Sequence, residues 1–234
     1  MNDDIFTQKN WDDLVKVLKN EMGQAVWDTL HVTLISSFFA ILIGLPLGIL
    51  LVVGDKKGLR PFPRPIMFLL NTIINILRSI PFLILMIIVI PLTRMIMGTS
   101  VGTEPTIVPL VIAAAPFIAR LAESSLREVD PNLIEMSESM GAPAYKTVLK
   151  VMIPESIPSL IANCSIAVTT ILGYTAMSGI IGGGGLGKIA INYGYYRYKH
   201  LVMWAAVLLL VILVQVLQSI GTGLSIATDK RKRK

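Results

Sequence analysis

The sequence predicts an all-α, polytopic membrane protein with five transmembrane helices, its N-terminus outside and its C-terminus inside. Three observations carry this. First, the 234 residues are 53% hydrophobic and only 15% charged, with a mean hydropathy of +0.69. Soluble domains have about 25% charged residues, and a soluble chain of this size has no way to cover so much apolar surface. Disorder, collagen and most soluble enzymes are thereby excluded. Second, five apolar stretches, 30–53, 66–97, 106–121, 157–181 and 201–220, make up half of the chain. A membrane helix needs about 20 mostly apolar residues. Third, Lys and Arg concentrate in alternate loops. With the N-terminus outside, thirteen of the 21 lie in inner segments and seven in outer ones, Arg78 being set aside as intramembrane. That bias is the positive-inside pattern.

The elements follow in order. Residues 1–28 form an arm with six acids and three lysines, so it is not a signal peptide, whose first segment is basic. Leu14, Val17, Leu18 and Met22 keep helical spacing. The arm is therefore either an amphipathic helix on the membrane surface or a solvated helix with no role of its own. Stretch 66–97 is too long, about 48 Å as a helix against a hydrocarbon core of about 30 Å, and holds Arg78, Pro81 and Pro91. One kinked, tilted helix is the expectation and two half-spans the alternative. Stretch 106–121 is short, but its helix is expected to continue through Ala122 and Leu126. The tail, 225–234, ends in Lys230–Lys234, a basic patch beside anionic lipid. Because this patch abuts a span, nucleic acid is not its expected partner.

The longest inner loop, 122–156, has no room for a catalytic domain, which starts at about 50 residues. Energy must come from a gradient or from another subunit. Gly182–Lys188 imitates a phosphate-binding loop, but the next residue is Ile189 where Ser or Thr must bind Mg²⁺. The glycines read instead as a flexible external loop or a structural turn. Two histidines and the single Cys164 offer neither a metal site nor a disulfide, and no cofactor is expected.

Residues 130–154 predict a helical hairpin. Asp130 is a good N-cap and Pro131 suits the first helical position. Gly141 is a natural helix stop, and Pro143 keeps Ala142 out of helical geometry. Pro143 then opens a second helix, which Pro154 ends. Tyr145, Val148, Leu149 and Met152 form one apolar stripe in it. The hairpin is either an ordinary connector or an interaction element.

Here the residues resemble a known pattern. Glu135-Met136-Ser137, three residues, Gly141, nine residues and Val151-Met152-Ile153-Pro154 are similar to the EAA loop of ABC importer permeases. Glu135, Gly141 and Pro154 match its pattern, whereas Met136, Ser137, Val151 and Ile153 depart from it conservatively. Arg78–Phe82, Ala114–Arg120, Gly173–Gly179, Gly98–Ser100 and Asn192–Tyr195 resemble the permeases of methionine importers. The resemblance runs from about Trp27 to about Gln218.

It implies a homodimeric permease (domain 29–224) in a bacterial plasma (inner) membrane, not itself an enzyme. It implies two copies of an ABC ATPase as partners, a substrate-binding lipoprotein outside, and methionine (L- and/or D-) as solute. Another small amino acid-like solute is the alternative. Glu135, Met136, Ser137, Gly141, Ala142, Pro143, Tyr145, Val151, Ile153 and Pro154 would couple the permease to the ATPase. Met177 matches a methionine that narrows the passage in that family, with Tyr174 beside it; packing explains a lone Met equally well. Arg78 either snorkels to the headgroups or lines the passage or dimer. A channel or gradient-driven transporter is the rival reading, and it usually shows intramembrane acids, which this sequence lacks.

Overall fold

The computed structural model describes residues 8–229, and every regular element among them is a helix. Met1–Thr7 of the arm and Lys230–Lys234 of the basic tail lie outside the described residues. Helix α1 (Gln8–Val17) passes through a π-helical turn (Leu18–Met22) directly into α2 (Gly23–Val53), with no break at residue 28.

A single kinked helix over 66–97 does not form. The chain makes α3 (Arg64–Ser79) and α4 (Phe82–Met97) instead, with Ile80 and Pro81 between them in extended backbone. Pro81 is the cause. It has no N–H for the helical ladder, and its ring disfavours helical geometry at Ile80. Pro91, by contrast, remains inside α4.

Helix α5 (Ile107–Arg127) extends six residues past Leu121, as its sequence suggested. Then come α6 (Pro131–Ser139), α7 (Ala144–Thr147), a π turn (Val148–Met152) and α8 (Ile153–Ser178). Pro154 does not end the second hairpin helix. The helical run continues from Ala144 to Ile181 straight through it. The N–H that Pro154 lacks would have bonded the Lys150 carbonyl, which lies in the π turn where the regular ladder is already interrupted. Helices α9 (Gly185–Ile189) and α10 (His200–Thr228) complete the chain, joined by a π-helical segment (Ala190–Tyr196). Four runs are long and apolar enough to cross a membrane, and the broken pair α3–α4 counted as one span makes five.

Two compact units emerge: Met1–Ser37, Pro81–Val111 and Val168–Leu217; and Phe38–Ile80, Ile112–Ala167 and Gln218–Lys234. In the first, the arm's stripe is covered by the chain itself. Val17, Met22 and Ala25 pack with Leu186, Ile189, Tyr193 and Val202, while Leu18 stays exposed. Tyr193 Oη donates to Glu21 Oε1 at 2.7 Å, and Lys199 Nζ lies 2.9 Å from Asp13 Oδ2. The arm is thus neither merely solvated nor stripe-down on lipid. The glycine run is folded rather than free. A Cβ at Gly187 would collide with the Ala176 carbonyl and one at Gly185 with Thr29 Oγ1, which accepts a 2.9 Å bond from Leu186 N–H.

In the second unit, α2 and α5 approach closely because both present small residues. A Cβ at Gly44 would lie 2.7 Å from the Ala115 carbonyl, and one at Gly48 would lie 2.6 Å from that of Ala119. This is the small-residue contact by which membrane helices gain packing. Leu51, Ile74 and Ala119 form one core, and Val52, Leu126, Val148 and Met152 another.

Candidate functional site

The hairpin at 130–154 is built from its capping residues upward. Asp130 Oδ1 accepts from Asn132 N–H at 2.9 Å, satisfying one orphan donor of α6. At the other end Gly141 takes φ +77°. Its N–H donates to Glu138 O at 2.8 Å, and Ala142 N–H donates to Ser137 O at 3.1 Å. These two bonds are the paired closures of a left-handed helix stop. Pro143 (φ −68°, ψ 151°) then directs the chain into α7. Ser137 and Thr147, both buried, share a 3.0 Å hydroxyl bond across the turn.

The predicted stripe divides into two faces. Val148 and Met152 are buried against Val52 and Leu126. Tyr145 and Leu149 point away, 62% and 60% exposed, as do Met136 (57%) and Met140 (80%). The division follows from helix geometry, since each pair is spaced i, i+4 on its own line. Glu135 is exposed on α6; Ala142, Val151 and Ile153 are half-buried; Pro154 is exposed. A cavity of about 510 Å³ lies beside the hairpin, walled by Val52, Leu59, Leu126 and Ile134, with Lys57, Arg127, Glu135 and Glu138 among its charged lining residues.

The passage candidates are placed as follows. The Tyr174 ring stacks on Phe82 with centroids 4.4 Å apart and planes 6° from parallel. Met177, one turn further along α8, is exposed. Arg78 is exposed in the last turn of α3, next to the break.

A charge ladder joins α5 to its surroundings. Arg120 donates to Glu123 Oε2 (2.6 Å), Asn71 Oδ1 (2.7 Å) and Asn75 Oδ1 (2.9 Å). Arg127 donates to Glu123 Oε1 (2.9 Å) and Asp55 Oδ2 (2.8 Å). The Arg127 guanidinium, helped by Lys56 N–H, holds the Asp55 carboxyl below the usual carboxylate range. Asn163 Nδ2 donates to Ser125 Oγ at 2.7 Å, so this span polar group serves helix packing.

The family model described as "binding-protein-dependent transport system inner membrane component" matches residues 40–233. The chain belongs to this family. As an inner-membrane component it is a multi-pass membrane protein, in agreement with its apolar helices. The chain is 44% identical over 207 residues to the probable D-methionine transport system permease protein MetI of Vibrio cholerae, covering 88% of this chain and 92% of that one. It is 42% identical over 210 residues to the protein of the same name from Pasteurella multocida, covering 90% and 96%. Its fold matches a solved structure of the MetNI methionine ABC transporter in an inward-facing conformation, with TM-score 0.86, 44% identity and 88% and 95% of the two chains covered.

Two features of this transport component escaped the sequence reading. Gly44 and Gly48 carry the GxxxG signal, with Ala115 and Ala119 at the same spacing opposite. Arg120 closes a segment that resembles the permeases of methionine importers, but the sequence pattern gives no pairing role to Arg120, Arg127 or Glu123. The available signal was phase: Asn71 and Asn75 at i, i+4 on one helix, and Arg120, Glu123 and Arg127 at i, i+3, i+7 on the other.

Proposed function

We propose that this chain is the permease subunit of an ABC importer for methionine, working as a homodimer with one passage between the copies. ATP is hydrolysed on a separate ATPase subunit, one docked on each copy, and a substrate-binding protein delivers the solute from outside. What supports this reading most is the 44% identity spread over 88% of the chain, together with the same fold as the MetNI methionine transporter.

The N-out, C-in orientation, supported by the Lys and Arg bias, puts the hairpin on the inner face. Its exposed ridge of Met136, Met140, Tyr145 and Leu149 is the surface offered to the ATPase. Methionine suits such a surface because its side chain adapts to an irregular partner groove. Closure of the ATPases on ATP moves the two hairpins and shifts the permease from inward-open to outward-open, a two-state change driven by a ligand bound elsewhere. Met177 from each copy narrows the passage, with Tyr174 held on Phe82 as its backing.

The test is uptake of labelled L- and D-methionine into vesicles carrying the permease, its ATPase and its binding protein. Uptake that requires ATP and is blocked by unlabelled methionine supports the reading. ATP-dependent uptake of another amino acid that methionine does not compete with reassigns the solute.

A further inference from the structure

We propose that Glu123 is a positioning residue of the transport cycle, the joint through which movement of the hairpin reaches α3. This rests on the coupling reading above. The hairpin's buried residues Val148 and Met152 pack on Leu126 in the last turn of α5, so a displaced hairpin displaces that turn. Glu123 lies one turn earlier. One carboxylate accepts from two guanidiniums, Arg120 on Oε2 and Arg127 on Oε1. Arg120 reaches on to Asn71 and Asn75 of α3, and Arg127 to Asp55 in the loop after α2.

The ladder is graded. Arg120 and Glu123 are 20% and 13% exposed, whereas Arg127 and Asp55 are 47% and 41% exposed. Charge-assisted bonds at the covered end hold a fixed geometry, while the exposed pair is cheap to break and remake. The exposed end also borders the cavity of about 510 Å³, on whose wall lies the hairpin residue Ile134. The hairpin therefore has room to shift, Arg127–Asp55 can part as it does so, and Arg120, held in place by Glu123, keeps α5 tied to α3 throughout. Glu123 touches no solute, and its role is to carry the motion.

The experiment uses the assembled transporter in vesicles and reads methionine transported per ATP hydrolysed. Glu123→Gln removes the charge at constant shape and replaces one of the two acceptor oxygens with an NH2 group that cannot accept from a guanidinium. The expected result is a fall in that ratio of about tenfold, with recovery in Glu123→Asp. A parental ratio in Glu123→Gln overturns the proposal. So does a lower yield of assembled complex with an unchanged ratio in what assembles, because a purely structural joint behaves that way. If Glu123→Gln does not assemble, the double variant Asn71→Ala, Asn75→Ala cuts only the α3 end. A lowered ratio there supports the proposal and a parental one overturns it. Met140→Asp, read by co-purification of the ATPase, tests the underlying hairpin reading separately. Loss of the ATPase in that variant with a parental ratio in Glu123→Gln rejects the joint alone, and full retention in Met140→Asp rejects the hairpin.

Discussion

Ser137 and Thr147 share a 3.0 Å hydroxyl hydrogen bond across the turn at Gly141, and both side chains are buried. The bond fixes α6 against α7 at the base of the hairpin. Replacing one partner strands the other. Ser137→Ala should therefore destabilise the hairpin by about 1–3 kcal/mol, and adding Thr147→Val should restore part of that loss. Hydrogen exchange of the amides at 138–147 in the two single variants and the double variant checks the cycle.

At Gly141 strain can be separated from bulk. A Cβ there meets nothing within 4 Å, so the hairpin has room for a side chain, but φ +77° opposes one. Gly141→Val should cost about 1–2 kcal/mol through the left-handed backbone, and Gly141→Asn less, because Asn tolerates that geometry. Co-purification of the ATPase should fall in the valine variant. If the asparagine variant loses the ATPase equally, close packing at position 141, and not the turn, is what docking requires.

The arm provides a pH test. The bond from Tyr193 Oη to Glu21 holds the Tyr193 phenol above its usual 10. A folded-state pKa raised in this way contributes stability that is complete below pH 10 and is lost as the pH rises through the folded value. Arm protection in hydrogen exchange should thus fall above about pH 10 in the parent. Tyr193→Phe should lose about 1 kcal/mol of it already at neutral pH and show no further loss from this pair at high pH.

Met177→Ala should let solute leak through the passage. The prediction follows from the proposed gate role, since an unbranched side chain can fill a narrow bore and swing aside at little cost. Raised passive efflux of methionine from loaded vesicles checks this, and unchanged efflux removes Met177 from the gate.

The apolar spans, five when the broken pair α3–α4 counts as one, and the hairpin's caps were legible because apolar length, Pro and Gly each act locally. Asp130, Pro131 and Gly141 behave as their chemistry dictates. Two proline effects were less legible. Pro81 breaks a helix that was expected only to bend, and Pro154 passes through one that it was expected to end. The difference lies in the neighbouring backbone, extended at Ile80 but π-helical before Pro154, which residue identity alone does not reveal. The spacing of Arg120, Glu123 and Arg127 was readable, but the link to Asn71 and Asn75 was not, because it joins residues 49 and 45 positions apart on two different helices. The arm's burial depends likewise on Tyr193 and Lys199, distant in the chain.

The proposed function depends above all on the 130–154 hairpin carrying the ATPase. Thiol cross-linking tests it most directly, comparing Met140→Cys, 80% exposed on the hairpin, with Met95→Cys, 78% exposed near the end of α4, which the proposed orientation puts outside. The expected result is a permease–ATPase adduct from position 140 whose yield changes when ATP is added, and none from position 95. An adduct from position 95, with none from position 140 in assembled complex, would contradict both the docking surface and the orientation.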